Sequence, residues 1–443
     1  MTEAVLETKE TAGAKLANLA RRETNGEPDW LRDLRSKALD KFEAKGLPNR
    51  KIEAWRDTDL SKLNAMVFHP SSRELEISGA EGLGRLRFAS LDCPRFVFIN
   101  GRFSDEFSSV ADSLEGVKVG RLTMQAGEKG TVESYLGKYS KWQENAFEAL
   151  NLAMFEDGAL IEVDRGIEVE KPIHVVFANL PTRQNGPIVV NPRVLLVAGE
   201  SSKVTVIESH LGSGDEGYFS NSVTEIVTGD NAKVDHYKVQ AESPAAVHIS
   251  SQESAQKRDS NLCTTVITLG GGLVRNETNS VLAGEGGWAE LNGLYLVGDD
   301  HHVDNFTRIG HQEAHCDIRE VYRGVLADSA RAVFRGRIVV SEGAQKTDSK
   351  QTNKNLLLSD QALVNTKPQL EIYADDVKCT HGATVGQLDD DAVFYLQARG
   401  ISKEDARAML IYAFAGELVN SVGVERLREE LDHYLLEWLA TCA

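Results

Sequence analysis

The sequence predicts a mainly β chain, a solenoid of stacked coils set between a helical or mixed N-terminal region and a helical C-terminal pair. Three observations carry that expectation. From about 158 to 378, short β-branched runs alternate with Gly, Asp, Asn and Ser turns, and no convincing amphipathic helix intervenes. A turn-and-strand unit echoes thirty residues on, Gly199-Glu-Ser-Ser-Lys-Val204 and then Gly229-Asp-Asn-Ala-Lys-Val234, with weaker cousins at Gly284–Ala289 and Ala327–Ala332. The 37 glycines against 10 prolines suit stacked coils, which need tight corners and tolerate little proline in central strands. A β-sandwich also yields many short strands, and periodicity alone leaves it open.

Composition narrows the class. The 443 residues include 49 basic and 67 acidic side chains, a formal net charge of −18, and the isoelectric point is near 5.2. That balance argues against a general nucleic-acid binder or an anionic membrane surface as partner. Met1–Glu7 carries early acids and no apolar core, so no secretory signal is expected. No apolar run reaches the ~20 residues that span a bilayer. The five cysteines (Cys93, Cys263, Cys316, Cys379 and Cys442) are scattered and odd in number, which fits a reducing cytoplasm and not a disulfide framework.

Three regions follow, an N-terminal helical or mixed region at 1–157, a β core at 158–388 and a C-terminal helical region at 389–443. In the first, Leu31, Leu34, Ala38, Leu39 and Phe42 predict a helix stopped by Gly46 and Pro48; Phe96–Arg102 reads as a strand entering a turn, and 132–155 as further helix. In the core, Val194–Val197, Val204–Ile207, Val223–Val227 and Arg337–Val340 are strands. In the last, Ser402-Lys-Glu-Asp405 is a capping box ahead of an apolar face of Ala406, Met409, Leu410, Ala413 and Phe414, and a second helix follows Gly423.

Most chemical motifs dissolve on inspection. Gly212-Ser-Gly-Asp-Glu-Gly217 matches a dinucleotide fingerprint in letters, but no helical pattern follows and Asp215 and Glu216 would repel a pyrophosphate. Gly270-Gly-Gly272 lacks the lysine of a phosphate loop. Cys263, between Leu262 and Thr264, reads as an inert strand residue, and no nucleophile elbow exists. His301, His302, His311, His315 and Cys316 are dense enough to suggest a metal, yet their strand-and-turn setting favours solvent-facing turns. The most informative pair is Cys379 and His381, which alternation places on one side of a strand. Lys378 is expected to favour the Cys379 thiolate, the metal-binding form. Two ligands make half a site, so spacing alone leaves a structural role open, and completion needs a second chain.

The run Lys-Pro-Gln-Leu-Glu-Ile-Tyr-Ala-Asp-Asp-Val-Lys-Cys379-Thr-His381-Gly-Ala-Thr-Val-Gly resembles the SufB/SufD family of iron–sulfur cluster assembly scaffolds, in its SufD form. So do Phe394–Ile401, Ile411–Glu417, Ala149–Gly158, Lys171-Pro172, Lys346–Leu358 and the Gly46-Leu-Pro-Asn-Arg-Lys-Ile-Glu-Ala-Trp55-Arg-Asp-Thr-Asp-Leu60 segment. The resemblance implies a right-handed parallel β-helix and a non-catalytic scaffold, cytoplasmic, with ATP hydrolysis supplied by a partner. It implies a paralogous SufB-like subunit and a SufC-like ABC ATPase as partners, and a nascent Fe–S cluster held transiently at the interface. It assigns His381 to that shared site, with Cys379 as its neighbour, and makes Phe394, Tyr395, Arg399, Met409 and Phe414 the contacts of an ATPase dock. It also admits a flavin on the assembled complex and a homodimer of the isolated chain. The alternatives are a SufB-like paralogue, an accessory subunit of another ABC ATPase system, and a β-helix carbohydrate enzyme, which the scarcity of aromatics disfavours.

Overall fold

The computed structural model describes residues 11–21, 26–69, 75–76, 78–109, 115–127, 130–183 and 186–442; the reading of Met1–Glu7 lies outside them. From Ala159 to Gly386 the chain climbs a parallel β-solenoid with two broad faces. Strands on the first face open at Lys203, Lys233, Asn261, Trp288, Asp317, Asp348 and Lys378, each 27 to 31 residues after the last. Strands on the second open at Phe219, Val247, Leu273, His302, Arg331 and Leu363, and each pairs in parallel with the strand one coil away.

The thirty-residue echo is a corner. One residue takes a positive φ at this corner in each coil, Gly166 first and then, before each first-face strand from Lys203 to Asp348, Ser201, Asn231, Asp259, Gly286, His315 and Lys346 in turn. Each of these residues donates its backbone N–H to a carbonyl of the next coil, on Glu200, Asp230, Arg258, Glu285, Ala314, Gln345 and Asp376, at 2.7 to 3.2 Å. A left-handed residue costs a side chain on the order of 1 kcal/mol, least for Gly and Asn or Asp, and the bond to the next coil holds it there. Gly284–Ala289 continues this corner. Ala327–Ala332 does not: it belongs to the opposite corner, before a second-face strand, where Asp299 and Asp328 are the left-handed residues.

With the corner pinned, like positions stack. Val204, Val234, Leu262, Ala289, Ile318, Ser349 and Cys379 form one inward column, and Val206, His236, Thr264, Leu291, Glu320, Gln351 and His381 form the next. Large and small residues interlock between coils. The Tyr322 ring lies where a side chain on Gly293 would be, and the Tyr295 ring does the same to Gly324.

The coil stack is closed at one end only. Short antiparallel strands, Arg102–Phe103 and Val117–Arg121, finish the two faces at the N-terminal end; Lys378–Gly386 and Leu363–Ile372 are outermost at the other. The predicted helix Asp29–Lys45 forms and ends at Gly46, whose φ is 65°. The stretch 132–155 is two helices, Thr131–Tyr135 and Ala146–Met154, and not one. Buried Glu225 accepts the backbone N–H of Gly137, Tyr139 and Ser140, drawing the chain out of helical hydrogen bonding, and Asn145 caps the second helix.

At the C-terminus Asp390–Gln397, Lys403–Asn420 and Glu425–Cys442 are helical, and Ser402 accepts from the Asp405 N–H at 3.0 Å. The expected apolar face is displaced only in part, since Ala406 is buried as expected. Ile411, Ala415, Leu418 and Val419 are buried, whereas Met409 and Ala413 are exposed. The helix is held between the first face and the helix after it, through Arg323 to the Phe414 carbonyl and Gly423 to the Tyr237 hydroxyl, and those anchors choose the buried stripe.

Overpacking of a closed core costs about 1–3 kcal/mol. Gly324→Ala should therefore lower the urea unfolding free energy by that amount, while Gly343→Ala, with nothing within 4 Å of its new methyl group, should change it by less than about 0.5 kcal/mol. Equal effects of the two variants would refute the interlocked-column description.

Candidate functional site

The solenoid stops with its interior uncovered. Cys379 and His381 stand in the inward columns of the last strand, above Ser349 and Gln351, but among the described residues no coil follows to cover them. His381 is exposed and Cys379 half-buried, and a side chain at neighbouring Gly382 would meet nothing within 4 Å. The strands that frame this end, Leu363–Ile372 and Lys378–Gly386, each have one free edge of backbone N–H and C=O groups. Leu363, Ile372, Tyr373 and Val385 are exposed there.

Below His381, Gln351 donates to Glu320 at 2.5 Å, and burial lifts the Glu320 carboxyl to about 7 despite hydrogen bonds from Thr307 and Gln351. Cys379, Leu370 and Val377 pack against the same buried cluster, which includes Ile318 and Ile338. Its thiol is shifted up by burial first and by Asp348 second. This reverses the expectation that Lys378 favours the thiolate. Alternation turns Lys378 outward to solvent, while Asp348, one coil below, is the charge that Cys379 feels.

The structure does not bring the other candidates to this end. Among the described residues no group of three His, Cys, Asp or Glu side chains is placed to hold a metal ion. The 299–316 histidines diverge. His302 contacts the Thr58 hydroxyl at 3.2 Å, His311 is buried between Leu282 and Val340 and pushed down to about 4, and His315 is a corner residue. Gly212–Gly217 is the turn between two strands, packed on Tyr218. Burial raises the Cys263 thiol to about 12, with Glu290 and Asp235 adding to the shift.

Of the C-terminal candidates, Phe394 is 71% exposed, Tyr395 58% and Met409 50%. Arg399 donates to the Tyr395 hydroxyl at 3.0 Å and lies over its ring, so the two form one unit. Phe414 differs from them. It is half-buried under Arg323, whose guanidinium also holds the Phe414 carbonyl at 2.7 Å, and it anchors the helix to the solenoid. Phe414 is therefore not part of an exposed docking surface.

Residues 181–414 match the family model described as SUF system FeS cluster assembly, SufBD core domain, and residues 19–175 match the SufBD protein N-terminal region. The chain belongs to the SufBD family. It is 33% identical to the iron–sulfur cluster assembly protein SufD of Escherichia coli, covering 87% of this chain and 88% of that one. An iron–sulfur cluster assembly SufBD family protein of Synechocystis is 33% identical over 91% of this chain and 90% of its own. SufD of Bacillus subtilis is 29% identical over 92% and 94%. SufBD membership accounts for the Gly46–Leu60 signature, whose role sequence reasoning missed. Trp55 is buried under the Arg275 guanidinium at 4.0 Å, Glu53 pairs with Lys367 on the last coil at 2.6 Å, and Thr58 donates to Asp304 at 2.5 Å. The signature thus clamps the N-terminal region onto the second face. No helix among the described residues is long and apolar enough to cross a membrane.

The thiolate is the form that alkylates, so a raised Cys379 pKa places its reactivity midpoint above that of an ordinary exposed cysteine. Site-resolved mass spectrometry of iodoacetamide labelling should show slower reaction at pH 7 than an ordinary exposed cysteine, with the rise displaced to higher pH. A midpoint below about 8.5, the free-cysteine value, would contradict the assigned environment.

Proposed function

We propose that this chain is a non-catalytic scaffold subunit of a Suf assembly complex, presenting His381, with Cys379 beside it, from the open end of its solenoid to a cluster built against a paralogous subunit. The single observation that carries this reading is the position of the pair: side chains directed to the interior on a coil that no further strand among the described residues covers. A second solenoid adding its own edge strands here would satisfy the free backbone groups and bury Leu363, Ile372 and Val385, while enclosing His381.

The donor set fits a shared site. An imidazole ligates iron when neutral, and a thiol does so once it loses its proton. Two donors leave an iron ion short of its usual coordination, so the partner supplies the rest, as thiolates. The cluster is cargo for this chain, formed at the seam and passed on. The same family membership supports an ABC-type ATPase as second partner, docked on the exposed Phe394, Tyr395, Arg399 and Met409 surface. ATP-driven movement of that dock, transmitted through Arg323 to the solenoid, would open and close the seam.

Co-expression with a SufB-like and a SufC-like subunit, followed by anaerobic reconstitution, tests the site. His381→Ala should leave the complex intact on gel filtration and remove most of the Fe–S absorbance; undiminished cluster content in an intact complex sinks the assignment. A Phe394→Asp, Met409→Asp variant should lose at least tenfold in affinity for the ATPase while still pairing with the paralogue. Unchanged ATPase capture would move the dock elsewhere.

A further inference from the structure

Within the Gly46–Leu60 signature, the residues from Glu53 to Thr58 run across the strands of the second face and not along one of them. Trp55 lies against Arg275, and Thr58 hydrogen-bonds Asp304 and lies 3.2 Å from His302. Arg335 donates to both the Glu53 carbonyl and the Asp57 carboxylate, and Lys367 reaches the Glu53 carboxylate at 2.6 Å. These partners sit on four successive strands, Leu273–Leu282, His302–His311, Arg331–Val340 and Leu363–Ile372. Strands ~4.8 Å apart put the first and the last of the four ~14 Å from each other. The segment ends on the outermost one.

That outermost strand has little else to hold it. Nine of the ten residues of Leu273–Leu282 are buried, but no residue of Leu363–Ile372 or of Lys378–Gly386 is. A strand without buried side chains keeps little beyond its backbone ladder to one neighbour, and the end units of a solenoid fray for that reason. Lys378–Gly386 is supported by the chain that follows it, since Leu388 packs against the core of the C-terminal helices. Leu363–Ile372 is tied instead through its outward charges, Glu371 to Arg337 at 2.7 Å and Lys367 to Glu53.

The inner side of this strand faces the candidate site. Val364, Thr366, Pro368 and Leu370 continue the buried inward positions Ala332, Phe334, Gly336 and Ile338, so the strand is the wall across from Cys379 and His381. The Glu53–Lys367 pair, with side chains 68% and 49% exposed, is weak by itself. Arg335 makes it effective. Its side chain is 8% exposed, and by binding the Glu53 carbonyl and the Asp57 carboxylate together it fixes the backbone from which Glu53 reaches Lys367.

We propose that Glu53–Thr58 is a splint that serves in place of a capping coil, and that Glu53 and Asp57 are positioning residues, holding Leu363–Ile372 as the wall beside Cys379 and His381. The importance of that wall rests on the scaffold reading above; the splint rests on geometry alone.

Hydrogen–deuterium exchange of the purified full-length chain, read by mass spectrometry, tests it. Glu53→Gln with Asp57→Asn should speed exchange at Leu363–Ile372 at least about threefold, the scale of ion pairs of this kind. Iodoacetamide labelling of Cys379 should quicken by a similar factor, while exchange at Leu273–Leu282 and labelling of Cys263 stay as they were. Lys367→Gln should reproduce the faster exchange and Lys367→Arg, which keeps the charge, should not. Glu168→Gln, which breaks an exposed pair with Lys203 toward the closed end, should alter neither readout. Unchanged exchange at Leu363–Ile372, or a rise spread over the whole solenoid, overturns the splint. Faster exchange there without faster Cys379 labelling overturns the positioning role. All of these variants change exposed or half-exposed side chains, and neither readout needs a cluster or a partner, so a failure here is distinct from a failure of the His381→Ala experiment.

Discussion

The whole molecule depends on one repeated interaction, the backbone hydrogen bond from a left-handed corner residue to the coil above it. Gly166, Ser201, Asn231, Asp259, Gly286, His315 and Lys346 make that bond in succession. It fixes coil length and register together, and a slip of one residue would turn every inward side chain out. His315 and Lys346 pay a steric penalty for the conformation that Gly166 and Gly286 avoid, so the sequence at the corner is free while the geometry is not.

Register also makes a polar interior possible. Glu208 lies between His210 at 2.6 Å and His236 at 3.2 Å, and Lys238 lies 3.0 Å from His248, whose Nδ1 is 2.7 Å from Glu242. Burial pushes Lys238 down to about 8 and His248 to about 4. It opposes ionisation of Glu242 as well, yet His248, His210 and Gln240 together outweigh it and leave that carboxyl at about 2. Such groups are tolerable inside only where each partner is held at a set distance, which stacked parallel strands supply. The same stacking delivers Cys379 and His381 to the last layer. What distinguishes them from Ser349 and Gln351 beneath is only that the stack ends above them.

The regions outside the solenoid are fastened by different means. The C-terminal helices bury an aliphatic stripe against the first face, whereas the N-terminal region shares a hydrophobic core with the second face and adds ion pairs and Trp55 over Arg275. Both interfaces hold a cavity, that of the N-terminal region beside Trp55 and that of the C-terminal helices beside Tyr434 and Trp438. Glu53 and Asp57 tie it to Lys367 and Arg335, on the last two second-face strands, so the N-terminal clamp and the open end share structure.

The sequence by itself determined that the core is a run of turn-and-strand units, because their spacing and the Gly199 and Gly229 echo are local signals, and a corner is a local structure. It also placed Cys379 and His381 on one side of one strand, since alternation needs no tertiary information. Tertiary structure alone decided that this side is an uncovered interior, that Asp348 and not Lys378 governs the Cys379 thiol, and that Met409 faces out while Phe414 holds the helix down. Each of these turns on a neighbour distant in sequence: Asp348 one coil away, Arg323 across the first face, and the coil that does not follow Gly386. Periodicity reports how side chains alternate along an element; only packing reports what stands opposite them.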